Sequence, residues 1–228
     1  MRGLLLNEQY GMWDAVLQKI KTNTRRVGQM DTVINKDPDN YEYKGFYQSE
    51  ASKSLYAEFQ HKVTGKIEHV IVRYKQGDRA YLQEPIIRAG EQILYHYRDA
   101  NGVRESEVFK PLVEKAKASG ALWENKYFMK QEHARFFVIF KTNPKVERLH
   151  DISDTDCFAE GIRIHSPAPN DFPDISSGYY YTKDGVKKIL STVQKAYFSL
   201  YNEINKGNKG HANPWVFSYY FELCPKHY

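Results

Sequence analysis

Apolar residues at Met12, Trp13, Val16, Leu17 and Ile20 recur at helical spacing, and Asn7 upstream is of a type that caps helices. The pattern predicts a helix whose apolar face runs out at Ile20. The next six residues, "KTNTRR" (21–26), crowd one amine, two hydroxyls and two guanidiniums together. Thr and Val there favour an extended chain, so a strand is expected directly after the helix. Residues 30–50, "MDTVINKDPDNYEYKGFYQSE", are polar and turn-rich with interleaved tyrosines and read as an irregular excursion.

Farther on, His69–Tyr74 and a segment ending at Pro85 read as two strands about a turn at Gln76-Gly77-Asp78. "EQILYHYRDANGVRESEVF" reads as a hairpin about Asn101-Gly102, a pair suited to a type I′ turn. "KPLVEKAKASG" predicts a short helix closed by Gly120. "ARFFVIFKT" is apolar on both faces through Phe136–Phe140, as expected of a strand covered on both sides, and "KVERLHDI" follows as another. In "SDTDCFAEG", Ser153 and Asp156 have capping-box spacing and Gly161 supplies a stop. Residues 164–185 read as a Pro-rich loop, and Asp184 as the start of the longest helix, with Val186, Ile189, Leu190, Val193, Tyr197, Leu200, Tyr201 and Ile204 on one stripe. "WVFSYYFEL" alternates Trp215, Phe217, Tyr219 and Phe221 on one face of a closing strand.

Five to eight mostly antiparallel strands with three or four inserted helices predict an α+β fold built around a small β-barrel. Nothing in the pattern divides the 228 residues, so a single domain over 1–228 is expected. No apolar run approaches membrane-spanning length, and "MRGLLLNEQY" is too short in its apolar part for a signal peptide. A cytoplasmic, reduced protein is the expectation. Cys157 and Cys224 stand far apart and the histidines are scattered, so neither a metal nor another cofactor is expected. A net charge of +5 favours anionic partners without naming one; where the cations cluster matters more than their total.

Four segments together resemble the ASCH domain family. "LLLNEQYGMWDAVLQKIKTNTRR" is similar to its opening helix and G-x-K-x-x-[E/T]-x-R hallmark, and "RYKQGDRAYLQEP" to the strand after it. "ARFFVIFKTNPKVERLHDISDTDCFAEGI" resembles its central strand and short acidic helix, and "NPWVFSYYFEL" the closing strand of long phage- and prophage-type members. Residues 28–66, 86–122 and 162–190 are left as elaborations. Lys19 stands where the hallmark has Gly. The resemblance implies a PUA-like β-barrel that binds RNA or a modified nucleoside, with hydrolases among its members. It places Lys21, Thr24 and Arg26 on the hallmark's functional positions and Glu160 on the acidic residue closing the short helix. Small members with Lys, Thr and Glu at these places are associated with amide hydrolysis of acylated cytidine.

These residues suit that chemistry. A Thr24 hydroxyl becomes a nucleophile once a neutral Lys21 removes its proton, with Glu160 orienting. Two conditions attach: the Lys21 pKa must fall, and the chain must turn between positions 21 and 24, which face opposite ways in an ideal strand. A carboxylate in the last helical turn, as at Glu160, is disfavoured by the dipole unless a cation such as Lys21 or Arg26 holds it. A nucleic-acid face would draw on Lys21, Arg25, Arg26, Arg73, Lys75 and Arg79, with tyrosines stacking unpaired bases of RNA. The Tyr179-Tyr180-Tyr181 triplet is either a stacking lid or one buried ring between two half-exposed ones. Binding of RNA or a nucleoside or nucleotide is the leading expectation, amidohydrolysis the alternative. Behind them stand a ribonuclease, for which no His pair is visible, and a protein-interaction module using 28–66.

Overall fold

Trp215–Cys224 is the longest strand, and it is buried on both faces: Phe217, Tyr219 and Phe221 on one, Val216 and Ser218 on the other. The computed structural model describes residues 1–89, 91–97, 99, 101–166, 177–207 and 210–225, apart from the side chains of Glu105 and Ser106. Its strands are β1 (Arg2–Leu5), β2 (Asn23–Arg26), β3 (Tyr41–Gln48), β4 (Leu55–His61), β5 (Ile67–Ile71), β6 (Arg79–Gln83), β7 (Ile86–Ala89), β8 (Gln92–Tyr95), β9 (Phe137–Phe140), β10 (Lys145–Arg148), β11 (Arg163–His165), β12 (Gly178–Lys183), β13 (Val186–Leu190) and β14 (Trp215–Cys224). The helices are α1 (Met12–Leu17), α2 (Glu105–Val108), α3 (Lys110–Ala118), α4 (Asp154–Ala159) and α5 (Val193–Ile204).

The expected α+β class is found, and the main sheet is a curled half barrel of six strands. β9 and β10 follow one another along one edge of β14, while β2 pairs with the other edge, Arg25 opposite Ser218 and Thr24 opposite Tyr219. Beyond β9 lie β6 and then β1, the last pair parallel and the others antiparallel. The sheet therefore ends in β1 on one side and β2 on the other. Its concave core holds Leu4, Trp13, Leu82, Val138, Phe140, Phe217, Tyr219 and Phe221. A second core, from Val216, Tyr197, Leu200, Leu149 and Tyr181, packs α5 against the opposite face.

Several expectations need correction. The 30–50 stretch is not irregular throughout: β3 occupies 41–48 and pairs with β4, which pairs with β5. Its tyrosines alternate with polar residues because one face covers the core and the other meets solvent. The hairpin near residue 90 is β7–β8, and Asn101-Gly102 instead closes a turn against Asp99 that leads into α2. The Asp99 carboxylate accepts from the backbone N–H groups of Asn101 and Val103, so the strong turn pair is used without a second strand. Residues 186–190 are β13, not helix: Asp184 (φ 50°) and Gly185 (φ 81°) make the tight β12–β13 turn. Both central residues take positive φ, as an Asp-Gly hairpin turn requires. α5 starts only at Val193, where the Thr192 hydroxyl caps Lys195 N–H. These short strands raise the count among the described residues to fourteen, above the expected five to eight. The Pro-rich loop at 167–176 lies outside the described residues.

The Tyr triplet lies in β12. Tyr181 is buried, bonded to Ser199 and Glu203, while Tyr179 and Tyr180 are half-buried, so the core reading holds and no lid is formed. Among the described residues no helix is long and apolar enough to cross a membrane.

α1 ends in a way the sequence conceals. Ile20 N–H reaches back to Ala15 carbonyl (2.8 Å) and Lys19 N–H to Val16 carbonyl (2.9 Å), with Lys19 at φ 60°. This is a Schellman ending, whose left-handed position normally holds Gly. Lys19 therefore occupies the conformation for which the resembled hallmark uses Gly. Lys19→Gly is expected to leave stability unchanged or raise it by up to about 1 kcal/mol, whereas β-branched Lys19→Val lowers it by about 1–2 kcal/mol. Chemical denaturation of the two variants decides; equal destabilisation by both would show that the φ at this position is not what matters.

Candidate functional site

The α1 ending sets where the cation-rich segment goes. Lys21 N–H also bonds to Ala15 carbonyl (2.9 Å), so Lys21 still belongs to the turn, and strand geometry begins only at Asn23. The alternation that would part Lys21 from Thr24 therefore never applies. Thr22 is pinned between Ala159 carbonyl and Phe221 N–H, both bonds 2.9 Å, which ties this turn to the end of α4 and to β14. α4 is short, capped by the Ser153 hydroxyl on Asp156 N–H (3.1 Å) and stopped by Gly161 at φ 105°. That stop leaves Glu160 as the residue capping the end of the helix, aimed at β2.

Lys21 and Glu160 meet there. Lys21 Nζ lies 2.5 Å from a Glu160 carboxylate oxygen and donates to the Glu160 carbonyl at 3.1 Å. Both are buried, at 2 % and 5 % exposure, so the cation expected to hold the helix-terminal carboxylate is Lys21. The second holder is Arg25 (Nη1 to Oε1, 3.3 Å), where Arg26 had been an alternative. Burial lowers the Lys21 pKa; Glu160 opposes the shift, and Arg26 and Arg25 reinforce it. The required direction of shift is present.

Arg25 is the centre of a larger cluster. Its Nε and Nη2 take Glu147 Oε1 at 2.8 and 2.7 Å, Nη2 also takes Asp156 at 2.9 Å, and the Tyr197 ring lies 5.9 Å beneath it. Asp156 accepts in addition from Tyr220, and Lys145 reaches Glu147 at 2.5 Å. Three cations thus meet three carboxylates behind the sheet. Burial alone would lower the Arg25 pKa, but Glu160, Tyr197 and Glu147 outweigh it and raise it. Burial likewise would raise Asp156, yet Tyr220 and Arg25 hold it below the ordinary carboxylate range. Arg25, expected on a nucleic-acid face, holds three carboxylates with its guanidinium and also lies in the lining of the cavity described next. Asp156 serves this cluster rather than reaching back to complete a capping box.

Beside β2, lined from both the main core and the α5 side, lies a cavity of about 720 Å³. The two end strands border it, Leu4 and Leu5 from β1 and Thr24 and Arg26 from β2, and Arg26 Nη2 donates across to Leu5 carbonyl at 2.7 Å. Lys21 and Glu160 form part of its wall, as do Arg2, Arg73, Tyr74 and Tyr219, and α5 contributes Tyr197, Leu200, Tyr201 and Ile204. Lys21, Thr24, Arg26, Arg73 and Glu160 are therefore brought to one site. Lys75 and Arg79 are not: Lys75 bonds to Lys53 carbonyl, and Arg79 lies over Phe137 and bonds to Cys224 and Pro225. Arg2, Tyr74, Tyr197 and Tyr201 had no sequence signal beyond their residue types. Glu147 had a weak one, as an inward charge in a short strand. Among the described residues no His, Cys, Asp and Glu side chains cluster to hold a metal. Comparison with protein-family models, curated proteins and solved structures found no match.

Removing Arg25 takes away the cation that three buried carboxylates share, so Arg25→Ala is expected to cost about 3–5 kcal/mol, and Arg25→Lys recovers only part of it because a point-like ammonium lacks the planar fork that reaches Glu147, Asp156 and Glu160 at once. Urea unfolding measures both. Because the folded-state pKa of Asp156 is depressed, its contribution is complete above the unfolded carboxylate pKa of about 4 and is lost as pH falls below it. Asp156→Asn should flatten that acid limb of the stability curve.

Proposed function

We propose that this chain binds an RNA-derived nucleoside or nucleotide in the cavity between β1 and β2. The carrying observation is the composition of its wall. Arg2, Arg26 and Arg73 line it, Lys21 and Glu160 neutralise each other, and Tyr74, Tyr201, Tyr219 and Phe217 supply ring surface. About 720 Å³ falls in the range that encloses one small ligand, and a nucleobase with its sugar fits the mixture of rings and cations. The ASCH resemblance supports the same reading. The main-sheet strands β2, β6, β9, β10 and β14 lie in or overlap the four segments that carry it, and β1 overlaps the first; the smaller sheets lie outside. The PUA-like barrel is part of this proposal.

Dialysis of the protein against a complete nuclease digest of RNA is expected to retain one or a few nucleobase-bearing species. Thr24→Tyr, which fills the cavity from its wall, should reduce retention at least about tenfold while the protein stays folded. Equal retention by both proteins would move the ligand elsewhere.

Amidohydrolysis of an acylated cytidine is a second reading, favoured by the convergence of Lys21, Thr24 and Glu160 at this cavity and by the lowered Lys21 pKa. Loss of the Lys21 proton, which its lowered pKa favours, would leave the neutral amine that a Thr24 nucleophile needs. The base form of Lys21 grows with pH. Deacetylation of acetylcytidine should therefore rise with pH, level off below the ordinary lysine value of about 10.4, and vanish in Lys21→Ala. A Lys21→Ala rate equal to that of the unaltered protein removes this reading and leaves the binding one.

A further inference from the structure

Five arginines of this chain hold carboxylates: Arg25, Arg88, Arg104, Arg135 and Arg148. Arg2, Arg26 and Arg73 differ. Among the described residues none of them has a carboxylate partner, and all three line the same cavity. They come from separate elements, namely β1, the end of β2 and the segment after β5.

Neutral oxygens hold them in place. Arg2 Nη1 donates to Arg73 carbonyl at 2.8 Å, Arg73 Nη2 to Gly3 carbonyl at 3.3 Å, and Arg26 Nη2 to Leu5 carbonyl at 2.7 Å. Tyr74 stands among them: its hydroxyl accepts from Arg73 Nε at 3.1 Å and donates to Gly3 carbonyl at 2.8 Å. The ring is stacked on Phe140, centroids 4.3 Å apart, so this anchor is rigid. A guanidinium has five N–H donors, and these bonds use only one or two of each. The remaining donors and three full charges are left for a ligand.

The opposite wall has a different character. Tyr197, Leu200, Tyr201 and Ile204 present rings and aliphatic carbon from α5. One end of the cavity thus suits an anion and the other a flat, weakly polar group.

We infer that Arg2, Arg26 and Arg73 form a phosphate-binding corner, so that the ligand is a phosphorylated nucleotide with its phosphate at the arginines and its base toward α5. This rests on the proposed reading of the cavity as a nucleobase site. Planar guanidiniums grip phosphate oxygens through paired hydrogen bonds, and Arg stays charged in a crowded site where Lys would neutralise. Electrostatics agree: Arg73 repels the charge of Arg26, which Glu160 offsets in part, and Tyr74 feels Arg73, Arg26 and Arg2 together. A dianion there complements the positive charge that remains.

Calorimetric titration with the four ribonucleosides, their 5′-monophosphates, ribose 5-phosphate and inorganic phosphate tests this on the full chain. At least one monophosphate should bind about tenfold or more tightly than its nucleoside, with affinity falling as salt rises. Arg73→Gln and Arg2→Gln should each remove most of that difference, and Lys75→Gln should leave it intact. Thermal unfolding shows whether each variant is folded; if one is not, the other and the salt dependence of the unaltered protein decide. Equal affinity for nucleosides and nucleotides overturns the phosphate corner and leaves the nucleobase site standing. Arg73-dependent binding of ribose 5-phosphate to which no base adds affinity supports the corner and overturns the nucleobase site. No binding of any of these overturns both.

Discussion

A single guanidinium, that of Arg25, organises the region around the candidate site. At 6 % exposure it takes carboxylates from β10 and from both ends of α4, and the Tyr197 ring of α5 covers it. Desolvating such a group is costly, and only close, well-directed acceptors offset the cost. Once Arg25 is behind the sheet, α4 has one position left in which Glu147, Asp156 and Glu160 are all satisfied. That position delivers Glu160 to Lys21. The Lys21–Glu160 contact at the cavity is therefore a by-product of a structural cluster as much as a feature of the site itself.

Strand alternation then separates two kinds of cation. Residues opposite one another in antiparallel pairs share a face, so Arg25 lies with Ser218 behind the sheet while Thr24 and Arg26 lie with Tyr219 and Phe217 in front. Behind the sheet Lys21, Arg25 and Lys145 each have a carboxylate. In front, Arg26 meets only a carbonyl from β1, and the other two arginines meet carbonyls and a tyrosine hydroxyl. Because β1 and β2 are the two ends of the sheet and do not pair, the gap between them becomes the cavity. An incomplete barrel thus supplies both the space and the unneutralised charge.

Much of this frame was legible in the sequence. Both-face apolarity marked β9 as central, the Trp215–Phe221 alternation marked β14, and Ser153 with Gly161 bounded α4. Failures arose where local signals compete. Asp184-Gly185 is a hairpin pair, yet the apolar residues after it also fit a helical stripe, and pairing with β12 decided for the strand. Asn101-Gly102 carries an equally strong turn signal, but among the described residues it closes a tight turn just before α2. Tyrosines in β3 masked its alternation, because a tyrosine can face the core or water.

By itself the sequence determined the α+β class, the places of the main strands along the chain, and the presence of a helix end, a cation cluster beside it and a later acidic helix terminus. These depend on periodicity and on capping, which are local. Tertiary structure alone decided which cation each carboxylate takes, that Lys19 adopts a glycine conformation, that Arg25 is held by three carboxylates, and that Arg2 and Arg73 join Arg26. Such assignments depend on which residues, far apart in the chain, share a face and a dielectric, and only the closed register of β14 with its neighbours specifies that.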